Sequence, residues 1–277
     1  MPANKPVRHI TPNQSFSNWL LQLNERRETL LFFIWKDLKV QYSKPIFGLI
    51  WSIFQPLVYF GIILLVMQFS GRQTATTGMP FEVYLIAGLA VWNFCTSAIL
   101  GSINSIQSNA GIISKSFFPR FYLVLAPMLK SSIDLLIMLL ITAGVAAWYG
   151  QQMVLQSISL LPTMLFLLWI TTMGWAAIAT SATIMNRHFR HAIPVLLYAM
   201  LFALPIFYSA SEMDNSLLKT IYTLNPISGS MDFLRASFGA ATPTLNTTIF
   251  WLLQSLAWSA IGVLFFRKVE KSLSDRI

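Results

Sequence analysis

Charge is scarce in this sequence: only 10% of the 277 residues are Asp, Glu, Lys or Arg, whereas 55% are hydrophobic and 14% aromatic. A soluble domain carries roughly 25% charged residues, so too little polar surface exists here to solvate a globule of this size. The mean hydropathy is +0.61, and the apolar residues are gathered into long runs rather than spaced as a soluble core. The chain is read as a polytopic membrane protein. Cysteine is almost missing as well. Cys95 stands alone, which rules out an internal disulfide, and the lack of CxxC or Cys/His spacing argues against a metal site. His9 lies in a polar tail, and His188 and His191 share one short basic loop with no acidic or thiol ligand nearby.

Acids are few and scattered. No paired carboxylates, Asp-x-Asp, Ser/His/Asp set or Gly-rich phosphate loop can be found among them, which argues against catalysis by this chain alone and against a cofactor bound by it. Ion-coupled transport places ionisable groups inside the spans. Only Lys130 and Asp134 qualify, one helical turn apart and able to pair. A secondary transporter or a membrane enzyme is therefore disfavoured, and the energy source is expected to act on the loops.

What the sequence does have is a lopsided distribution of basic residues, 19 Lys and Arg against 10 Asp and Glu, net +9. A pI near 9.9 is compatible with a nucleic-acid binder, but the positions argue for membrane topology instead. Six apolar segments, 45–69, 83–103, 121–149, 160–185, 192–208 and 247–266, approach the roughly 20 residues that cross a bilayer. The fifth is the shortest. On the side of the N-terminus lie Lys5, Arg8, Arg26, Arg27, Lys36, Lys39, Lys44, Lys115, Arg120, Arg187, Arg190, Arg267, Lys268, Lys271 and Arg276. Arg72, Lys219 and Arg235 lie on the other side, and Lys130 is inside the third span. Basic loops stay in the cytoplasm, so both termini are predicted there, with no nucleic-acid partner and with anionic lipid as the surface the charges meet.

The first 27 residues read as a polar cytoplasmic tail without the apolar stretch of a signal peptide. Over 28–43, Leu31, Ile34, Trp35, Leu38 and Tyr42 recur at helical spacing, predicting an amphipathic helix on the membrane surface. Phe32, Phe33 and Val40 spoil its polar side. Between the last two spans, Leu217, Leu218, Ile221, Tyr222 and Leu224 form one apolar stripe, Asn225-Pro226 stops it, and Met231, Phe233, Leu234 and Phe238 begin another. Two short helices that dip into the membrane fit this pattern, as do two lying flat on it. No internal repeat, low-complexity tract or linker divides the chain, which is expected to form one membrane domain over 1–277. The fold class is all-α: six transmembrane helices, an N-terminal interface helix and short re-entrant helices before the last span.

Four segments together carry a resemblance. Trp-Lys-Asp-Leu-Lys-Val-Gln-Tyr at 35–42, Gly-Leu-Ile-Trp-Ser-Ile-Phe-Gln-Pro at 48–56, Ile-Ser-Lys-Ser-Phe-Phe-Pro-Arg at 113–120 and Asn-Pro-Ile-Ser-Gly at 225–229 resemble the permease family of type 2 ABC exporters. That family handles lipopolysaccharide O-antigen, teichoic acid and capsular polysaccharide, and the similarity extends over nearly the whole chain after residue 28. It implies a homodimer in the bacterial inner membrane with two copies of a separate ATPase, which binds ATP and Mg. The implied substrate is a lipid-linked polysaccharide. Residues 105–117 resemble the coupling helix, with Ser108, Asn109, Ile112, Ile113, Ser114 and Lys115 toward the ATPase. Arg187, His188 and Arg190 resemble the second ATPase contact, although the family more often has an acid where His188 stands.

A hydrated, flexible polymer needs many weak contacts rather than one tight site, and aromatic rings supply them by stacking on sugar faces. Trp51, Tyr59 and Phe60 in the first span, Trp92 and Phe94 in the second, and Tyr198, Phe202, Phe207 and Tyr208 in the fifth are the candidates for the channel. Lipid-facing or packing rings are the competing reading of each. Arg26, Arg27, Lys36 and Lys39 are candidates to attract a pyrophosphate headgroup at the cytoplasmic entrance, against simple membrane anchoring. An ABC permease for a small drug or lipid is the alternative at the level of the whole protein, with secondary transport a distant third.

Overall fold

A computed structural model of the protein describes residues 16–42, 45–70, 78–151, 159–208 and 216–270. The tail up to residue 15, Arg72 and the basic residues after 270 lie outside them. Eleven helices and no strands occur among the described residues: α1 Phe16–Glu25, α2 Arg27–Tyr42, α3 Pro45–Ser70, α4 Phe81–Ser108, α5 Ala110–Ile113, α6 Tyr122–Trp148, α7 Leu160–Met185, α8 Phe189–Ala203, α9 Ser216–Leu224, α10 Pro226–Ser237 and α11 Leu245–Glu270. By length and apolar composition α4, α6, α7 and α11 can each cross a membrane. Two further apolar stretches, Phe54–Phe69 within α3 and the whole of α8, are shorter.

The helix α4 is the axis of the bundle. Every side chain from Val83 to Trp92 is buried, the signature of a helix that is apolar on all sides, and α4 packs on α6, α7, α10, α3 and α8. Where lipid is as apolar as leucine, helices associate by close packing of small residues. The α7–α11 crossing follows this rule: a Cβ on Gly174 would stand 2.5 Å from the Trp258 carbonyl oxygen, and one on Gly262 would stand 2.7 Å from Gly174 Cα. A hydroxyl pair, Thr171 Oγ1 and Ser255 Oγ at 2.9 Å, bridges the same two helices.

The helices depart from the sequence expectations in three places. Residues 16–25, expected as polar tail, form α1, because Phe16, Trp19, Leu20 and Leu23 recur at helical spacing and Trp19 is buried. In α2 the inward residue is Phe33, only 1% exposed and tilted against Phe118 with ring centroids 5.0 Å apart. Of the face expected to lie on the membrane, Leu31 and Trp35 are exposed, while Ile34 and Leu38 are half-buried. The cause is that α2 has apolar residues all round, so protein packing and lipid each claim one side. The fifth apolar segment is helical only to Ala203, because Leu204 precedes Pro205 and takes the extended backbone that proline imposes, with ψ 147°.

The Asn-Pro-Ile-Ser-Gly motif has a local explanation. The Asn225 side chain caps α10 by accepting from the Ile227 amide at 3.0 Å, and Pro226 opens the helix where no N–H is needed. Gly229 admits the Trp251 ring, which a Cβ would meet at 2.5 Å. The resulting α10 is enclosed almost throughout, against α7, α4 and α11.

Candidate functional site

A cavity of about 820 Å³ lies between α3, α4 and α8. From α4, Leu89, Trp92, Asn93, Thr96, Ser97 and Leu100 make its floor; α3 contributes Gln55, Pro56, Tyr59, Ile62, Ile63, Val66 and Met67, and α8 contributes Pro194, Leu197, Tyr198, Leu201 and Phe202. Phe207 and Tyr208, just beyond the end of α8, complete the wall. Among the described residues no charged one lines it. Several wall residues, among them Ile62, Val66, Tyr198 and Phe202, are exposed, so the cavity opens on the flank of the bundle. Phe202 and Phe207 are tilted against one another at 5.7 Å.

Of the aromatic candidates, the structure brings Tyr59, Trp92, Tyr198, Phe202, Phe207 and Tyr208 to this one cavity. Phe60 is partly buried against the core. Phe94, 1% exposed, packs inside the bundle on the opposite side of α4 from Trp92's neighbours and has no place in the cavity wall. Trp51 lies outside the described side chains. Sequence reading passed over Gln55, Asn93, Thr96 and Ser97. The last three recur at i, i+3 and i+4 in an otherwise apolar span, and that spacing was the available signal for a polar stripe on one face. Thr96 Oγ1 donates back to the Trp92 and Asn93 carbonyls at 3.0 and 3.1 Å.

The basic residues cluster at one end of the bundle. There the segment 109–118 is held by α2 and the turn before it at three points. Lys36 Nζ donates to Asn109 Oδ1, Arg26 donates to the Phe117 carbonyl, and Ile113 and Phe118 are buried in one cluster with Phe33. Asn109 is itself 1% exposed, with its amide donating to the Ser105 carbonyl at 2.7 Å. Arg26 and Lys36, candidates for a lipid headgroup, thus grip the protein's own loop. Lys39 lies over the Trp35 ring at 4.7 Å, and Arg27 is exposed.

Within the coupling candidates the structure separates inward from outward residues. Ile113 is buried and Ile112 half-buried, whereas Ser108, Ser114 and Lys115 are exposed; Phe117, beyond them, is also exposed. Arg187 and His188 are exposed, and Arg190 donates to Asn104 Oδ1 at 3.2 Å, which sets the 186–191 loop beside the coupling segment. The half-buried Glu270, at the last turn of α11, joins this end: its carboxylate accepts from the Arg120 amide at 3.0 Å and from Trp19 Nε1 at 3.3 Å. Burial pushes its pKa up, and the hydrogen bonds from Arg120 and Trp19, with the charges of Arg120 and Arg267, pull back only partly. Lys130 is half-buried and Asp134 buried in α6.

Comparison with known proteins fits this architecture. The family model described as "ABC-2 type transporter" matches residues 28–238, from the start of α2 to the end of α10. Two O-antigen export system permease proteins RfbA of Klebsiella pneumoniae are similar, each 26% identical over 245 residues that cover 87% of this chain and 91% of the relative. An RfbA permease of Myxococcus xanthus is 22% identical over 218 residues, covering 78% of this chain and 82% of the relative. With the model matched over most of its length, the chain belongs to the ABC-2 type transporter family.

Proposed function

We propose that the protein is the permease subunit of an ATP-driven exporter that carries a lipid-linked polysaccharide, O-antigen-like and undecaprenyl-diphosphate-linked, across the bacterial cytoplasmic membrane. The observation that carries this reading is the cavity: aromatic rings and neutral hydrogen-bonding groups without a charge suit sliding contacts with sugars. The names of the relatives, O-antigen export system permeases, supply the substrate class. A cavity open on the flank is half of an enclosed path, and a second copy of the chain against α3 and α8 would complete it as a channel on the dimer axis. In this reading α3 and α8 cross the membrane with the four longer helices, and α9 and α10 enter it from the outer side without crossing. At 26 residues and about 1.5 Å per residue, α3 has the length for its part.

The energy comes from two copies of a separate ATPase, which hold ATP and Mg and engage the exposed face of residues 108–117 and the 186–191 loop. Both termini then lie in the cytoplasm, and a reporter fused at Ile277 that reads as exported would refute the orientation. Deletion of the gene tests the substrate: surface polysaccharide is lost while lipid-linked polymer accumulates inside. The apolar wall of Ile62, Ile63, Val66 and Met67 also suits a small drug or lipid. An unchanged cell surface after deletion, with the protein still copurifying with an ATPase, would select that second reading.

A further inference from the structure

The end of the bundle away from the basic cluster is built around a buried guanidinium. Arg235, in the last turn of α10, is 2% exposed, a costly setting for a charge that calls for compensating contacts. Its Nη2 donates to the Pro205 carbonyl at 2.8 Å, and its guanidinium carbon lies 3.4 Å from the centre of the Tyr84 ring. Gly88, one turn along α4, makes the space: a Cβ there would stand 2.8 Å from Arg235 Nη2. The Tyr84 hydroxyl reaches the same Pro205 carbonyl at 3.1 Å and the Tyr208 carbonyl at 3.0 Å.

These donors all converge on one weak piece of backbone. After Ala203 the chain is no longer helical, Pro205 offers no N–H, and the next three residues include Phe207 and Tyr208, which line the cavity. We propose that Arg235 is a positioning residue which, together with Tyr84, clasps Pro205–Tyr208 and so holds Phe207 and Tyr208 across one end of the cavity. The inference rests on reading the cavity as the transport path. The clasp is built to release. Arg235 Nε and Nη1 have no hydrogen-bond partner among the described residues, and Asp232 Oδ1 lies 3.9 Å from Nη1 while its Oδ2 accepts from the Tyr222 hydroxyl. When the 204–208 segment swings away, the guanidinium turns to Asp232 instead of being left bare.

Thiol labelling tests this without any substrate. In a Phe207→Cys variant the only other thiol, Cys95, is fully buried, so a membrane-impermeant maleimide applied to intact cells reports the single introduced site. Adding Arg235→Lys, which cannot cover the Tyr84 ring as a guanidinium does, is expected to raise the labelling rate about tenfold. Tyr84→Phe, which keeps the ring but removes the hydroxyl, is expected to raise it less. Unchanged rates in both backgrounds overturn the proposal. Should Arg235→Lys fail to reach the membrane, Tyr84→Phe decides alone. Restoration of surface polysaccharide by the unsubstituted protein in a deletion strain is a separate readout: its failure would refute the transport reading while the labelling rates still judge the clasp.

Discussion

The grip of α2 on the coupling segment makes a quantitative prediction through Lys36→Met. Methionine keeps the length of the chain and its packing over Phe33, whose ring centre lies 5.6 Å from Lys36 Nζ, but it cannot donate to Asn109. Hydrogen bonds to charged groups contribute about 1.5–3 kcal/mol. Here Lys36 is 26% exposed and has Asp37 Oδ1 at 3.5 Å, so in the released state it keeps water and a carboxylate, which lowers the value. Asn109, at 1% exposure, loses a partner it cannot replace with water, which keeps the value from vanishing. The balance is about 1.4 kcal/mol, a tenfold change in the equilibrium between docked and released segment. Native-state hydrogen exchange reads that equilibrium directly. The Ile112 and Ile113 amides bond to the Asn109 carbonyl at 2.9 Å each, and the Ser114 amide to the Ala110 carbonyl at 3.1 Å. All three should exchange about tenfold faster in the variant, with the amides of the α7–α11 crossing unchanged. With the ATPase bound, the loosened segment should raise the ATP hydrolysed per polymer exported. Exchange within about twofold of wild type at these amides would refute the reasoning, since it would mean that Phe33 and Ile113 hold the segment without Lys36.

Three other perturbations separate packing, charge and cavity chemistry. Gly262→Val pushes side-chain atoms into the Gly174 backbone and should lower the thermal midpoint in detergent by the equivalent of about 1–3 kcal/mol or more; Gly144→Ala, where a Cβ meets nothing within 4 Å, should not. Because the folded-state pKa of Glu270 is raised above its unfolded value, the native protein holds that proton where the unfolded chain has lost it. Its contribution is therefore most favourable below the ordinary glutamate value of about 4.3 and fades as pH rises through the raised one. Denaturation midpoints measured across that window should fall with rising pH in the wild type and fall less in Glu270→Gln. Replacing Asn93, Thr96 and Ser97 by Leu, Val and Ala should leave assembly with the ATPase intact and cut polysaccharide export, measured on the cell surface; undiminished export would remove the α4 stripe from the path.

How much of this was legible beforehand follows from what a bilayer does to sequence signals. Four of the six apolar runs could be read as helices long enough to cross, since a run of apolar residues marks a crossing whatever its neighbours are, and a gathering of basic residues at one end could be expected because charge must leave the lipid. Which way a span faces could not be read from its apolar residues: lipid and protein interior accept the same leucines and rings, so Phe94 in the core and Trp92 in the cavity wall look alike in the sequence. Partners distant in sequence were equally hidden. Lys36 meets an amide 73 residues away, and Arg235, counted as one more outer-loop charge, is the most enclosed cation among the described residues. Yet some information about facing was present, carried by a different residue class. A small polar side chain loses hydration in lipid and gains nothing by packing there; Thr96 offsets the loss by bonding back to its own helix, but an asparagine on the same face, Asn93, with Ser97 one turn on, favours protein or a wet space. In a span crowded with aromatics, it is this quiet polar triplet, more than any single ring, that marks the face of α4 turned to the cavity.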